Sequence, residues 1–316
     1  MAEPAVQNPF SGGARLKLFW ALSRTPHGLL DMCTPCFAAL LWLGAFPPPE
    51  VVLIGLATTF AGYTAVYAWN DVVDFRVDRE KAASGGLAEG GGDLDGVIVR
   101  HPMAQGLLSF REGAAWALAW SLVALAGAWR LNPVCVGIFL AGCLLEAAYC
   151  LLWRVSPYRT LVSGAVKTSG ALAAVFAVDP APSPAFLAAL FAALFFWEIG
   201  GQNVPNDLAD LEEDRRLRAR TIPVCIGAGR AVSLAVAALA LAVPATAALF
   251  LLSPLRWAPL FALAALLVGA KLLLMPGMRL ERDRDRAAAL ALFNRASWYP
   301  PALLGIVILH LVIRSA

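Results

Sequence analysis

The chain has 316 residues, 59% of them hydrophobic and only 15% charged. Soluble domains carry about 25% charged residues, so this composition excludes a water-soluble globular fold and implies an all-α, polytopic membrane protein. A net charge of +3 marks no nucleic-acid partner, and six scattered cysteines give no disulfide framework.

Residues 1–26 contain charges, prolines and glycines but no signal-peptide core, and read as a cytoplasmic N-terminal segment. A helix needs about 20 apolar residues to cross a bilayer. On that basis the chain is expected to cross about nine times, at 27–46, 51–70, 112–130, 133–152, 160–178, 184–204, 229–250, 255–275 and 296–314. Residues 27–316 thus form a single transmembrane domain, with repeat halves of roughly 27–155 and 156–316. Twenty of the 25 lysines and arginines fall in segments on one side, three on the other and two (Lys167, Lys271) within spans. The positive-inside rule makes the richer side cytoplasmic, in a cell inner membrane.

One pattern organises the chain. Asn70-Asp71-Val72-Val73-Asp74-Phe75-Arg76-Val77-Asp78-Arg79 closes the second span. Asn206-Asp207-Leu208-Ala209-Asp210-Leu211-Glu212-Glu213-Asp214-Arg215 closes the sixth, and both read N-D-x-x-D-x-x-x-D-R. On a continuous helix three residues at this spacing fall within about 60° of one another. Each copy is therefore expected to project a narrow ribbon of three carboxylates: Asp71, Asp74 and Asp78 in the first, Asp207, Asp210 and Asp214 in the second. Clustered like charges need a cation, and hard oxygen ligands suit Mg²⁺, which binds one or two carboxylates together with substrate phosphates. The offset of four spans puts both copies on the same side and implies a parallel repeat about an axis along the membrane normal.

Three further features bear on such a site. Asn203 precedes Asp207 by one helical turn and shares its face. Lys167 sits about 10 Å inside the fifth span at 1.5 Å per residue, and since intramembrane charges mark functional sites it is a candidate phosphate contact; Glu146 and Glu198 are similarly buried and have no evident role. Residues 82–96 are Gly-rich and of low complexity, read as a flexible linker; lying between the first ribbon and Arg100, they would also suit a lid over the site. Arg215 opens a basic run to Arg220 that serves equally as a membrane anchor or a phosphate contact.

At these residues the chain resembles the UbiA superfamily of intramembrane prenyltransferases. Its first signature, N-D-x-x-D-x-x-x-D, is matched from Asn70 to Asp78. Its second is matched by Asp207, Asp210 and Asp214, followed by a basic segment and the tail Thr221-Ile222-Pro223-Val224-Cys225-Ile226-Gly227. The resemblance covers residues 20–316. It implies that the clusters bind two Mg²⁺ ions holding a polyprenyl diphosphate, that Asp71, Asp74, Asp207 and Asp210 are catalytic, and that Asn70 and loop cations contact the donor. Two departures stand out. His101 occupies the place of an expected Arg, which assigns the phosphate contact to Arg100; and behind Tyr149 it is Arg154 or Arg159, not Lys, that follows.

The implied reaction ionises the prenyl diphosphate and alkylates a lipophilic acceptor, with membrane lipids as surroundings. The acceptor expected is aromatic, of the quinone-precursor type; tetrapyrrole and glycerol-lipid acceptors are the alternatives. A divalent-cation transporter is the rival of another class, but its acidic groups should sit at mid-membrane, whereas these lie at the edge beside many arginines.

Overall fold

The computed structural model describes residues 13–83 and 99–315; residues 1–12, and 84–96 of the Gly-rich stretch, lie outside the described residues. Every regular element among the described residues is a helix, as expected where no water is present to satisfy backbone N–H and C=O groups. Eight helical stretches among them are long and apolar enough to cross a membrane, three of them (Pro184–Ala209, Ala258–Asp283 and Arg286–Arg314) made of consecutive helices. The expected crossing at 27–46 is built from two short pieces, α2 (Thr25–Asp31) and α3 (Cys33–Leu43), preceded by α1 (Gly13–Leu22). The break has a local cause. Pro35 has no N–H for the Asp31 carbonyl one turn back, and Thr34 Oγ1 donates to that carbonyl at 2.9 Å instead.

The first half continues with α4 (Pro49–Val73), the short α5 (Phe75–Ala83), α6 (Phe110–Leu131), α7 (Pro133–Leu151) and α8 (Arg159–Val178). Their starts are signalled in sequence. Ser109 and Glu112 form a reciprocal capping box at α6. Pro133 opens α7 behind Asn132, whose side chain accepts from Val134 N–H at 2.9 Å.

In the second half α9 (Pro184–Trp197) runs through a π turn at Glu198–Asn203 into α10 (Val204–Ala209), then α11 (Leu211–Arg216) and α12 (Ile222–Ile226). There follow α13 (Ala228–Leu252), α14 (Ala258–Gly269), α15 (Met275–Asp283), α16 (Arg286–Ala296) and α17 (Tyr299–Ser315). A second π turn, Ala270–Leu274, joins α14 to α15. Both π turns lie just ahead of a proline, Pro205 and Pro276. A residue that cannot donate backward leaves a carbonyl free, and a local i→i+5 turn accommodates it.

Packing pairs α4 with α6, α7 with α8, α9 with α13 and α3 with α8. The main core gathers Phe37, Phe186, Leu190, Trp197, Leu239, Phe250 and Tyr299, all nearly inaccessible. Leu53, Trp129, Leu144 and Leu267 are exposed on the outer face, where lipid rather than water is the neighbour in an integral membrane protein.

Candidate active site

The two Asp motifs adopt the same backbone, and it is not the continuous helix expected of them. In each copy the middle Asp is the residue at which the helix breaks: Asp74 has φ −84° and ψ 2°, Asp210 φ −100° and ψ 12°. Both fall in the bridge region favoured by active-site residues. The flanking hydrogen bonds match as well. Asp74 N–H donates to the Asn70 carbonyl and Asp78 N–H to the Asp74 carbonyl, both at 2.9 Å; Asp210 N–H reaches the Asn206 carbonyl at 3.1 Å and Asp214 N–H the Asp210 carbonyl at 2.9 Å. The helix is therefore interrupted within each set, and in the first copy the last Asp lies close to the first.

In the first set Asp71 and Asp78, each buried, converge on one imidazole. His101 Nδ1 lies 3.1 Å from Asp71 Oδ1 and 2.9 Å from Asp78 Oδ2, and the three ligand atoms fall within 4.8 Å of one another. His101 reaches this position with a left-handed backbone, φ 46°. Burial by itself would lower its pKa, but the two carboxylates outweigh burial and hold the imidazole up at about 9. Burial opposes the ionised form of Asp78 too; the charge and hydrogen bond of His101 prevail and keep that carboxyl below its usual range. The expected Arg has thus been replaced by a histidine that acts on the carboxylates themselves. Arg24 completes this end, donating to Asn70 Oδ1 at 2.9 Å and lying 3.3 Å from Asp71 Oδ1. Asn70 in turn donates to Glu146 at 2.7 Å.

The second set is compensated differently. Asp214 accepts from Thr221 Oγ1 at 2.9 Å, and burial, reinforced by Asp210, pushes its carboxyl up to about 6 despite the Lys81 charge. Asp207 is 5% exposed and its Oδ2 has no hydrogen-bond partner. Asn203 Nδ2 donates to Tyr149 OH at 3.0 Å. Arg159 is stacked on the Tyr149 ring, 4.0 Å from its centroid.

The two sets face one another. Arg159 and Lys81 each lie within electrostatic reach of both Asp74 and Asp207, and Arg100 acts on Asp210 and Glu213 of the second set. Of the expected substrate contacts, Asn70, Asn203, Arg100, Tyr149 and Arg159 gather here. Arg154 and Arg215 do not. Arg154 pairs with Glu80 and donates to the Leu217 carbonyl at 3.1 Å, and Arg215 pairs with Glu212 at 2.8 Å, both on exposed surface. Lys167 is in the bundle but deeper, bonded to Asp31 Oδ2 at 2.5 Å and to Tyr67 OH at 2.9 Å. Arg24, His101 and Asp31 were not on the list of expected contacts.

Below the carboxylates, toward the membrane interior, lies a cavity of about 580 Å³. Asn70, Asn203 and Asn206 border it, and its wall along α4 extends from Asn70 to Val51, about 28 Å at 1.5 Å per residue. That is nearly the thickness of a hydrocarbon core. Leu40, Val66, Ile138, Phe139 and Leu304 are among its apolar walls. The six carboxylates fit a hard divalent cation, and the buried Asp207 Oδ2, which accepts no hydrogen bond, is left free to ligate one.

Buried carboxylates next to a membrane-deep apolar cavity define an intramembrane enzyme with one charged and one greasy substrate region. The UbiA prenyltransferase family matches residues 32–299, and the chain belongs to that family; it is a prenyltransferase. It is 25% identical over 304 residues to a 4-hydroxybenzoate octaprenyltransferase of Herminiimonas arsenicoxydans, covering 95% of this chain and 99% of that protein. A digeranylgeranylglyceryl phosphate synthase of Methanoregula boonei is 30% identical over 152 residues, 48% of this chain and 54% of the relative. Among solved structures, a UbiA homolog from Archaeoglobus fulgidus bound to DMAPP and Mg²⁺ superimposes with a TM-score of 0.67 at 17% identity, over 93% of this chain and 99% of that one.

Proposed function

We propose that the protein carries out the Mg²⁺-dependent transfer of a polyprenyl group from a prenyl diphosphate to a lipophilic, aromatic acceptor of the quinone-precursor type. The observation that carries this reading is the meeting of two carboxylate sets beside the asparagines, Asn70, Asn203 and Asn206, that border a long apolar cavity. Asp71, Asp74 and Asp78 on one side, and Asp207, Asp210 and Asp214 on the other, are the residues to hold Mg²⁺. Bound there, the metal supplies Lewis acidity, neutralising charge that develops on the departing diphosphate. Arg24, Lys81, Arg100 and Arg159 add fixed positive charge around the same oxygens. The apolar cavity accepts the prenyl chain and keeps water from an allylic cation.

The homolog bound to DMAPP and Mg²⁺ supports the donor and the metal. The octaprenyltransferase relative, aligned over almost its full length, supports an aromatic acceptor; the digeranylgeranylglyceryl phosphate synthase supports a glycerol-lipid acceptor as the second reading. The one-sided distribution of lysine and arginine supports a site facing the cytoplasm from a cell inner membrane. Purified protein in liposomes, given labelled geranyl diphosphate, Mg²⁺ and a lipophilic phenol as acceptor, should release diphosphate and transfer the label to the phenol. Mg²⁺ uptake without prenyl transfer would refute the reading in favour of a cation transporter.

A further inference from the structure

Below the carboxylate sets the same cavity holds a second polar layer that metal and diphosphate binding leave unused. Lys167 lines the cavity from α8. Its ammonium donates to Asp31 Oδ2 at 2.5 Å and to Tyr67 OH at 2.9 Å. An ammonium has three N–H donors, so one remains for the cavity. The pair with Asp31, whose side chain is only 3% exposed, holds that nitrogen in place. One turn earlier on the same face of α8, Ser163 Oγ donates to Glu198 Oε1 at 2.6 Å. Glu198 is 5% exposed, also lines the cavity, and its Oε2 has no hydrogen-bond partner. Lys167 and Glu198 lie within electrostatic reach of each other. Nine residues separate Glu198 from Asp207, about 13 Å along the axis, so this layer is distinct from the metal layer.

One unused donor and one buried, unpartnered acceptor thus belong to residues that line the same apolar space. Leaving either buried and unpaired is costly. A carboxylate ligand would satisfy Lys167 but be repelled by Glu198 and Asp31; an ammonium would meet the reverse. A neutral hydroxyl satisfies both, since it accepts from an N–H and donates its own proton to a carboxylate oxygen. We propose that Lys167 and Glu198 form a hydroxyl-recognition site that selects and orients the prenyl acceptor, which therefore carries a hydroxyl on an apolar body. This deepens the prenyl-transfer reading and rests on it for the ligand being the acceptor. The hydroxyl belongs to a phenol or to a glycerol lipid; the chemistry at the site is shared.

The test compares each hydroxyl with its methyl ether, which retains the accepting oxygen and loses the proton. Full-length protein in nanodiscs is titrated with 4-nonylphenol and 4-nonylanisole, and with monoolein and its dimethyl ether, each corrected against empty discs. Wild type should bind at least one hydroxyl probe about tenfold tighter than its ether, the low end of what a hydrogen bond to a charged group contributes. Preference confined to the phenol assigns an aromatic acceptor, and preference confined to monoolein assigns a glycerol lipid. Glu198→Gln should reduce the preference to within about threefold. If that variant is not monodisperse, Ser163→Ala, which releases the carboxylate from its anchor, should reduce it in the same direction. Equal binding of hydroxyl and ether in both pairs by wild type overturns the proposal, as does an undiminished preference in folded Glu198→Gln. Mg²⁺-dependent binding of geranyl diphosphate to wild type, measured in the same discs, reads the donor site separately: its failure refutes prenyl transfer without touching the hydroxyl result.

Discussion

Tyr149 offers a way to separate two contributions at the second carboxylate set. Its hydroxyl accepts from Asn203 Nδ2 at 3.0 Å, and its ring lies 4.0 Å under the Arg159 guanidinium. Tyr149→Phe removes the first and keeps the second. A neutral hydrogen bond contributes about 1 kcal/mol net, so kcat/KM should fall roughly fivefold. Tyr149→Leu removes the ring as well. A desolvated cation–π contact contributes about 2 kcal/mol, and the combined loss of about 3 kcal/mol corresponds to roughly 150-fold. The ring borders the cavity, so its loss enlarges existing space instead of creating an enclosed void, and thermal stability should change less than activity. Steady-state prenyl transfer to a fixed acceptor, alongside melting curves for both variants, gives the two quantities. Phe as damaging as Leu would show that the hydroxyl acts on substrate directly. Leu as active as Phe would show that the ring does not position Arg159.

Asp71→Ala and Asp207→Ala should each abolish turnover while the protein still inserts and elutes as a folded species; normal activity at saturating donor and Mg²⁺ in either would refute the site. Arg154→Ala and Arg215→Ala should leave kcat/KM within about twofold, because both side chains sit in exposed ion pairs with Glu80 and Glu212 and such pairs contribute little; a large drop would restore them as phosphate contacts. Gly200→Ala would place a Cβ 2.5 Å from the Ala235 carbonyl oxygen, and overpacking of this kind costs about 1–3 kcal/mol, so its melting temperature should drop. Gly137→Ala, with nothing within 4 Å, should not lower it.

The crossings and the two motifs were legible because both signals are local: apolar length for the first, identical spacing of charged residues for the second. The kinks at Asp74 and Asp210 were not, since neither position carries a proline or glycine to announce a break. The interruption at Asp31 did carry a signal, a proline four residues on at Pro35. Arg24 reaches Asn70 only because the broken first crossing lays α2 against α4, a tertiary fact with no pattern in the chain. His101 was visible as a missing arginine, yet its contact with two carboxylates depends on a left-handed residue in a loop. Arg154 and Arg215 misled for the opposite reason: proximity in sequence to Tyr149 and Asp214 does not specify which way a long side chain turns, and both found surface carboxylates. Glu198 was legible as a buried acid in an apolar run; its partner on α8 was not.

The backbone repeat does not extend to charge. In the first set Asp71 and Asp78 already share the imidazole of His101, and Asp71 has Arg24 beside it. In the second set Asp214 is met by a neutral hydroxyl, and Asp207 keeps an oxygen without a partner. Two sites built on one repeated motif would thus make unequal demands on a cation: the first set would hold it beside positive groups already in place, and the second would offer an oxygen without a hydrogen-bond partner. Since Arg159 and Lys81 act on both sets, a charge arriving at one is felt at the other. The replacement of the expected arginine by His101 is what makes the halves unequal, because an imidazole reaches between the two carboxylates of its own set, where an arginine was expected to meet phosphate.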